Sequence, residues 1–382
     1  MSWLQLPPLS LYIHLPWCER KCPYCDFNSH EAQQQLPETD YIHSLLSDLD
    51  NDLALAQQRP LHSIFIGGGT PSLFSGAGIR QLLDGVRQRI PLAEEAEVTM
   101  EANPGSAEAD KFAAFVDAGV NRLSLGVQSF DDKLLQSLGR VHDSDQACCA
   151  IEMAQGVGLD GINIDLMHGL PGQTAASAQA DLQRATDYRP AHISWYQLTI
   201  EANTEFYKRP PSLPVESELG TIQDEGELLL AREGYGRYEV SAYARQGYRC
   251  HHNLNYWHFG DYLGIGAGAH GKITLPGENR VFRTVKRKQP AEYLAAAPGE
   301  HCSRRHDISA QELPGDFMLN ALRLDDGFDL AEFRARTGLE ETAISDTVNS
   351  LLQRGLLSRD ETRLLASPLG RRFLDTVVSE FL

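Results

Sequence analysis

Three cysteines near the N-terminus, Cys18, Cys22 and Cys25, stand in the run YIHLPWCERKCPYCDF with the spacing C-x3-C-x2-C. Three thiolates can hold three irons of a cubane [4Fe-4S] cluster and leave the fourth iron without a protein ligand. An open iron lets a cluster bind a small molecule as well as carry electrons. A structural zinc ion is the other reading of the same thiols. It would want a fourth ligand, which His14 or His30 could supply.

The chain that positions these thiols has 382 residues, enough for two or three domains with a large core. A formal charge of −18 and a pI near 5.1 argue against a nucleic-acid partner or an anionic membrane surface, since both attract basic patches. Seven cysteines, four of them scattered at Cys148, Cys149, Cys250 and Cys302, do not suggest a disulfide framework. The sequence opens on no charged-then-apolar signal, and no run approaches the roughly 18 apolar residues of a membrane span. The expectation is a protein of a reducing compartment, the cytoplasm, with no membrane span.

Short apolar runs at 9–15, 63–67, 97–101, 122–126, 161–167 and 192–199 predict strands, separated by stretches with helical spacing such as Tyr41–Leu45–Leu49–Leu53. Strand and helix repeated this way predict a parallel sheet with right-handed crossovers. Six repeats are too few for a closed eight-fold barrel, so the expected fold is α/β, an incomplete parallel (β/α)6 barrel. In barrels, chemistry sits at the carboxyl ends of the strands. The residues least suited to a core fall there: the cysteines after strand one, Gly67 to Pro71 after strand two, Glu101, Asn103 and Pro104 at strand three, Gln128 and Ser129 after strand four, and Asp165 and His168 in or after strand five. Each taken singly reads equally well as a strand cap or a turn. Five strand ends pointing one way carry more weight.

In order along the chain, YIHLPWCERKCPYC, GGGTPS, MEANP, LGVQSF, the Arg of LGRVH and NIDLMHGLPGQT resemble the coproporphyrinogen-dehydrogenase-like branch of the radical S-adenosylmethionine (SAM) superfamily. The motifs span 9–174, and a weaker likeness continues to the C-terminus. In that superfamily SAM occupies the open iron, and an electron passed to its sulfonium releases a 5′-deoxyadenosyl radical. The resemblance implies SAM contacts at Tyr12, Gly68, Gly69, Thr70, Glu101, Gln128, Arg140 and Asp165. These types suit the ligand. Glycines let backbone approach the methionine moiety, carboxylates accept from ammonium or ribose hydroxyls, and the fork of Arg140 matches a carboxylate. By position alone Arg140 could equally be a surface helix cation.

The branch holds an oxygen-independent coproporphyrinogen III oxidase and a sister group, the HemW-type heme chaperones. The oxidase carries a fourth cysteine two residues past the third, where this chain has Phe27, and a longer segment before the cluster strand. The chaperones are similar to an H-N-x-x-Y pattern, matched here by His252, Asn253 and Tyr256. The expected function is therefore a heme chaperone that holds a [4Fe-4S] cluster, SAM and heme, takes electrons from a donor, and passes heme to recipient hemoproteins. The alternatives are the oxidase itself or another radical SAM enzyme. His252 is the expected heme ligand, since imidazole suits heme iron, with His251 and Cys250 as lesser candidates. The aromatics between 235 and 258 would cover the porphyrin; the plainer reading makes them core.

The glycines of YLGIGAGAHG lack a following helix pattern, which argues against a dinucleotide fold and leaves a strand passing close to the cofactor pocket or to the open edge of the barrel. From about 315 the pattern is helix, helix, a hairpin at 359–365 and a last helix at 368–381, an order like a winged helix. Between Ala310 and Leu382 there are 13 acidic and 8 basic residues, so packing or partner docking is expected there and not DNA binding. The boundaries expected are 1–200 for the barrel, 201–310 for an aromatic-rich connecting region, with 285–315 a connector, and 311–382 for the C-terminal module.

Overall fold

The computed structural model describes residues 3–32, 36–106, 109–159 and 161–382. Six strands lie side by side and parallel: β1 (Leu9–Leu15), β2 (Leu61–Gly68), β3 (Leu92–Ala102), β4 (Arg122–Gln128), β5 (Gly161–His168) and β6 (His192–Gln197). Strand alternation sorts their side chains onto two faces. In β1, Leu9, Leu11, Ile13 and Leu15 are fully buried in one apolar cluster with Tyr41, Leu45 and Leu49 of the helix Glu38–Asp52. Ser10 and Tyr12 point the other way, into the barrel lumen, where Ser10 Oγ lies 2.7 Å from Ser63 Oγ and the Tyr12 ring stacks on Phe65.

The sheet does not stop at six. Beyond β6 come β7 (Gly236–Glu239) and β8 (Ala242–Ala244); on the far side of β1 come β9 (Asp261–Ile265), β10 (His270–Leu275), β11 (Arg280–Lys286) and β12 (Cys302–Asp307). The order is β12-β11-β10-β9-β1-β2-β3-β4-β5-β6-β8-β7. β9 runs parallel to β1 and the outer strands antiparallel. The two edges, β12 and β7, are not neighbours, so the barrel is incomplete, as the strand count predicts.

The connector expected at 285–315 is instead the end of β11, the helix Pro290–Leu294 and the edge strand β12. β12 reads CSRRHD and is mostly exposed, so it has no buried face to give its sequence an apolar alternation. The expected last helix is two short ones, Pro368–Arg372 and Leu374–Ser379, broken at Phe373. Around a second core that includes Phe317, Phe328, Phe333 and Leu364, the helices Leu330–Thr337 and Ser345–Gln353 precede a small sheet containing the hairpin Leu357–Asp360 and Arg363–Ala366. That core also takes in Phe259 and Val281 from the large sheet's side. Among the described residues no helix is long and apolar enough to cross a membrane.

Candidate functional site

The cysteines lie in the loop that leaves β1. Its ends are held as a short parallel pair, Trp17–Cys18 beside His30–Glu31. Lys21 Nζ donates to the carbonyls of Phe27 and Ser29 at 3.1 and 3.3 Å. Asn28 Nδ2 donates to the carbonyls of Ala267 and Lys288, each at 2.8 Å, which fastens the loop to the turn after β9 and to the end of β11. Within this frame Cys25 N donates to Cys22 O at 3.1 Å, a tight turn that brings the two thiols to one side. All three thiols are free and line one cavity. Burial pushes the Cys18 and Cys25 thiols up from their ordinary pKa.

Gly68, Gly69, Thr70, Glu101, Gln128, Arg140 and Asp165 line the same cavity. Gly68 has φ +118°, and a side chain there would strike the His14 ring; one on Gly69 would strike the Trp17 carbonyl. The glycine run is thus required by the close passage of β2's end against β1. It also leaves the Gly68 N–H to donate to Glu101 Oε2 at 3.0 Å. The Glu101 carboxyl is pushed up to about 7, chiefly by burial and further by the Asp165 charge, against the pull of that N–H. Asp165 is raised by burial too, although Ser124 Oγ and Asn163 Nδ2 each donate to it at 2.8 Å. Arg140 Nη2 donates to Gly126 O at 2.7 Å, Nη1 lies 3.6 Å from Cys22 Sγ, and Nε is buried without a partner. Gln128 sits at φ +70°, a left-handed conformation uncommon for its type, and accepts from Tyr196 OH at 2.8 Å.

Two tyrosines of the cavity escaped the sequence reading. Tyr196 shares the lumen face of β6 with His192 and Ser194, and period-two alternation could have singled it out. Tyr24, within CPYC, packs near Phe206, and burial raises its pKa. Tyr12, by contrast, stands outside this cavity. Its hydroxyl meets His14 Nδ1 at 2.8 Å, and its ring lines a second cavity with Phe27, whose side chain borders both.

The lining fits a cluster with SAM better than zinc. Three thiols spread around one cavity suit a cubane, which binds each thiolate at a different iron. His14 is not available as a fourth ligand, since Tyr12 OH and Asn28 O occupy its two ring nitrogens. The orphaned Arg140 Nε and the two carboxyls of the cavity lining, Glu101 and Asp165, are polar groups that a ligand with a carboxylate, an ammonium and hydroxyls would satisfy. When bound, an open-iron cluster supplies an electron to the SAM sulfonium. The chain's own groups orient the ligand.

His252 is elsewhere. It lies in the helix His251–Trp257, which crosses the amino end of the barrel, and is 1% exposed. Its Nδ1 meets Ser63 Oγ and its Nε2 meets Tyr256 OH, both at 2.9 Å, while its ring packs on Phe65. Burial pushes it down to about 4, so it is neutral. Glu97 anchors the helix by accepting from the N–H groups of His251 and His252. Burial opposes the charge on Glu97, but Arg122 and these two donors hold its carboxyl below the ordinary value. Tyr235, Tyr238 and Tyr243 are core residues.

Two family models match the chain, Radical SAM superfamily at residues 12–185 and HemN C-terminal domain at 308–373. A heme chaperone HemW from Escherichia coli (strain K12) is 50% identical over 99% of this chain and 99% of its own length. The chain belongs to the HemW family. Other members reach far in lineage: heme chaperone HemW of Bacillus subtilis is 34% identical over 98% of this chain and 99% of that one. The radical S-adenosyl methionine domain-containing protein 1, mitochondrial, of Bos taurus is 35% identical over 98% and 87%. A solved structure of coproporphyrinogen III oxidase (HemN) from Escherichia coli, a radical SAM enzyme, matches at TM-score 0.82 over 98% of this chain and 90% of that one. At 23% identity that likeness establishes a shared fold. Radical SAM membership implies a [4Fe-4S] cluster and SAM as the family's cofactors.

Proposed function

We propose that this HemW-family chain is a heme chaperone. In this reading Cys18, Cys22 and Cys25 hold the cluster; Gly68, Gly69, Thr70, Glu101, Gln128, Arg140 and Asp165 hold SAM, with Tyr12 behind them; and heme is received and passed to recipient hemoproteins. The observation that carries it is the gathering of the three thiols and seven of the eight assigned SAM residues around one cavity in a chain whose full-length relatives are named heme chaperones. Phe27 in place of a fourth thiol favours this reading over the oxidase. An electron donor would reduce the cluster from the loop's outer face, where Lys21, Cys22, Cys25 and His30 border solvent-open space.

Heme titration of the anaerobically reconstituted protein tests the reading, followed as a difference Soret band. Saturation near one heme per chain is expected, together with the absorption near roughly 400 nm of a thiolate-iron cluster, which Cys18→Ala, Cys22→Ala or Cys25→Ala should each abolish. Absence of saturable heme binding, with coproporphyrinogen turned over instead, would assign the chain to the oxidase.

A further inference from the structure

On the heme-chaperone reading, which any heme seat in this chain presupposes, the structure has to offer heme iron a nitrogen. His252 offers none in this conformation: both ring nitrogens are hydrogen-bonded, and freeing either would detach the helix His251–Trp257 from Ser63 or Tyr256. A different histidine is open. His270 begins β10, is exposed, and makes no side-chain hydrogen bond among the described residues.

His270 lines a cavity of about 420 Å³ on the side of Phe27 away from the SAM-lining residues, within the range of small-molecule and cofactor pockets. Two of its walls are the rings of Tyr12 and Tyr262, and Phe27, 62% exposed on the cluster loop, flanks its mouth. Aromatic faces and one free imidazole suit a flat macrocycle with a metal at its centre. Lys288 stands at the rim with an ammonium that no carboxylate neutralises among the described residues, an ion-pair partner for a propionate. Asp26 is the opposing charge in the lining; Lys286 there is already held by Asp48 and Asp52.

We propose that this second cavity is the heme seat and that a neutral His270 ring nitrogen donates its lone pair to the heme iron. No bond in the protein breaks and no electron is transferred. Because Phe27 borders both cavities, bound heme would touch the cluster loop directly.

The test is heme titration of the reconstituted full chain and four variants, with iron-free protoporphyrin IX as a control ligand. His270→Ala should weaken heme about tenfold or more while changing protoporphyrin affinity by less than about twofold. Lys288→Glu should weaken both ligands, because propionates are common to them. His252→Ala should leave the Soret and charge-transfer bands of bound heme where they are in the wild type, since His252 is not its ligand, although Tyr256 in the cavity lining loses its partner. His270→Met decides the matter: thioether ligation must move the Soret and charge-transfer bands, which a packing role would not do. A heme spectrum unchanged in His270→Met, or wild-type affinity in His270→Ala, overturns the assignment. A shifted Soret band confined to His252→Ala returns the ligand to the barrel helix and leaves the chaperone reading intact. Failure of the wild type to bind heme removes the chaperone reading itself.

Discussion

Glu101 is a half-buried carboxyl in the cavity lining with no ion pair among the described residues, and its protonation changes the charge of the pocket. Its folded pKa of about 7 lies above the ordinary 4.5. The folded chain therefore binds that proton more tightly than the unfolded chain does. The stabilisation is complete below about pH 4.5 and is lost as pH rises through about 7. Thermal melts of the cluster-free protein should show this loss in the wild type and not in Glu101→Gln, so the gap between the two curves should change across that window and be flat above it. A parallel pH dependence in both proteins would place the raised pKa elsewhere. Ammonium or ribose donors arriving at Glu101 should reverse the shift. SAM binding near pH 6.5 should then release protons, measurable by calorimetry in two buffers of different ionisation enthalpy, and Glu101→Gln should abolish the release. At this scale the sequence was informative where chemistry demands fixed spacing. C-x3-C-x2-C and the strand-end motifs led to residues that the fold brings around one cavity. Tyr12 and His252 show what spacing leaves out: which side of a lumen a ring faces, and whether its polar atoms already have partners inside the protein.

Among the elements, β11 and the helix Glu38–Asp52 are joined by a buried triad. Lys286 Nζ lies 2.5 Å from Asp48 and 2.7 Å from Asp52, and Tyr293 OH donates to Asp48 at 2.8 Å. Both carboxylates depend on that one ammonium. Lys286→Met should cost about 3–5 kcal/mol in urea unfolding, since it leaves buried charge uncompensated; a cost under about 1 kcal/mol would mean that water reaches the triad. Replacing all three members together by apolar residues should be far milder. The six parallel strands were legible because each has a face of unbroken apolar residues against the outer helices, as Leu9, Leu11, Ile13 and Leu15 show. β12 was not, because an exposed edge of Arg and His side chains carries no such pattern. Neither was the plug helix His251–Trp257. It is lined by lumen groups, Ser63, Phe65 and Glu97, so its buried side is polar and aromatic, and HHNLNYW reads like a loop.

Over the whole molecule, the C-terminal core and the sheet share residues. Phe317 packs edge-on to Phe259, Phe328 and Phe333, and Phe259 belongs to the turn that delivers β9. Phe317→Ala should therefore destabilise the protein by about 3–5 kcal/mol. If Phe259 couples the two cores, heat should unfold them in one transition, and a separate early transition in calorimetry would uncouple them.

The pairing of β1 with β9 joins Leu9 to Asp261, and Asn28 fastens the thiol loop to Ala267 and Lys288. On a ribosome working at about 5–20 residues per second, those partners trail the cysteines by roughly 12–50 s. Throughout that interval the nascent chain has its thiols but not the frame that aims them. A stalled chain ending before 260 should keep Cys18, Cys22 and Cys25 open to alkylation and acquire no iron, while one extended past 290 should be protected once iron and sulfide are supplied. Metal loading in the cell would then be an event of the finished polypeptide, timed by the arrival of its last third.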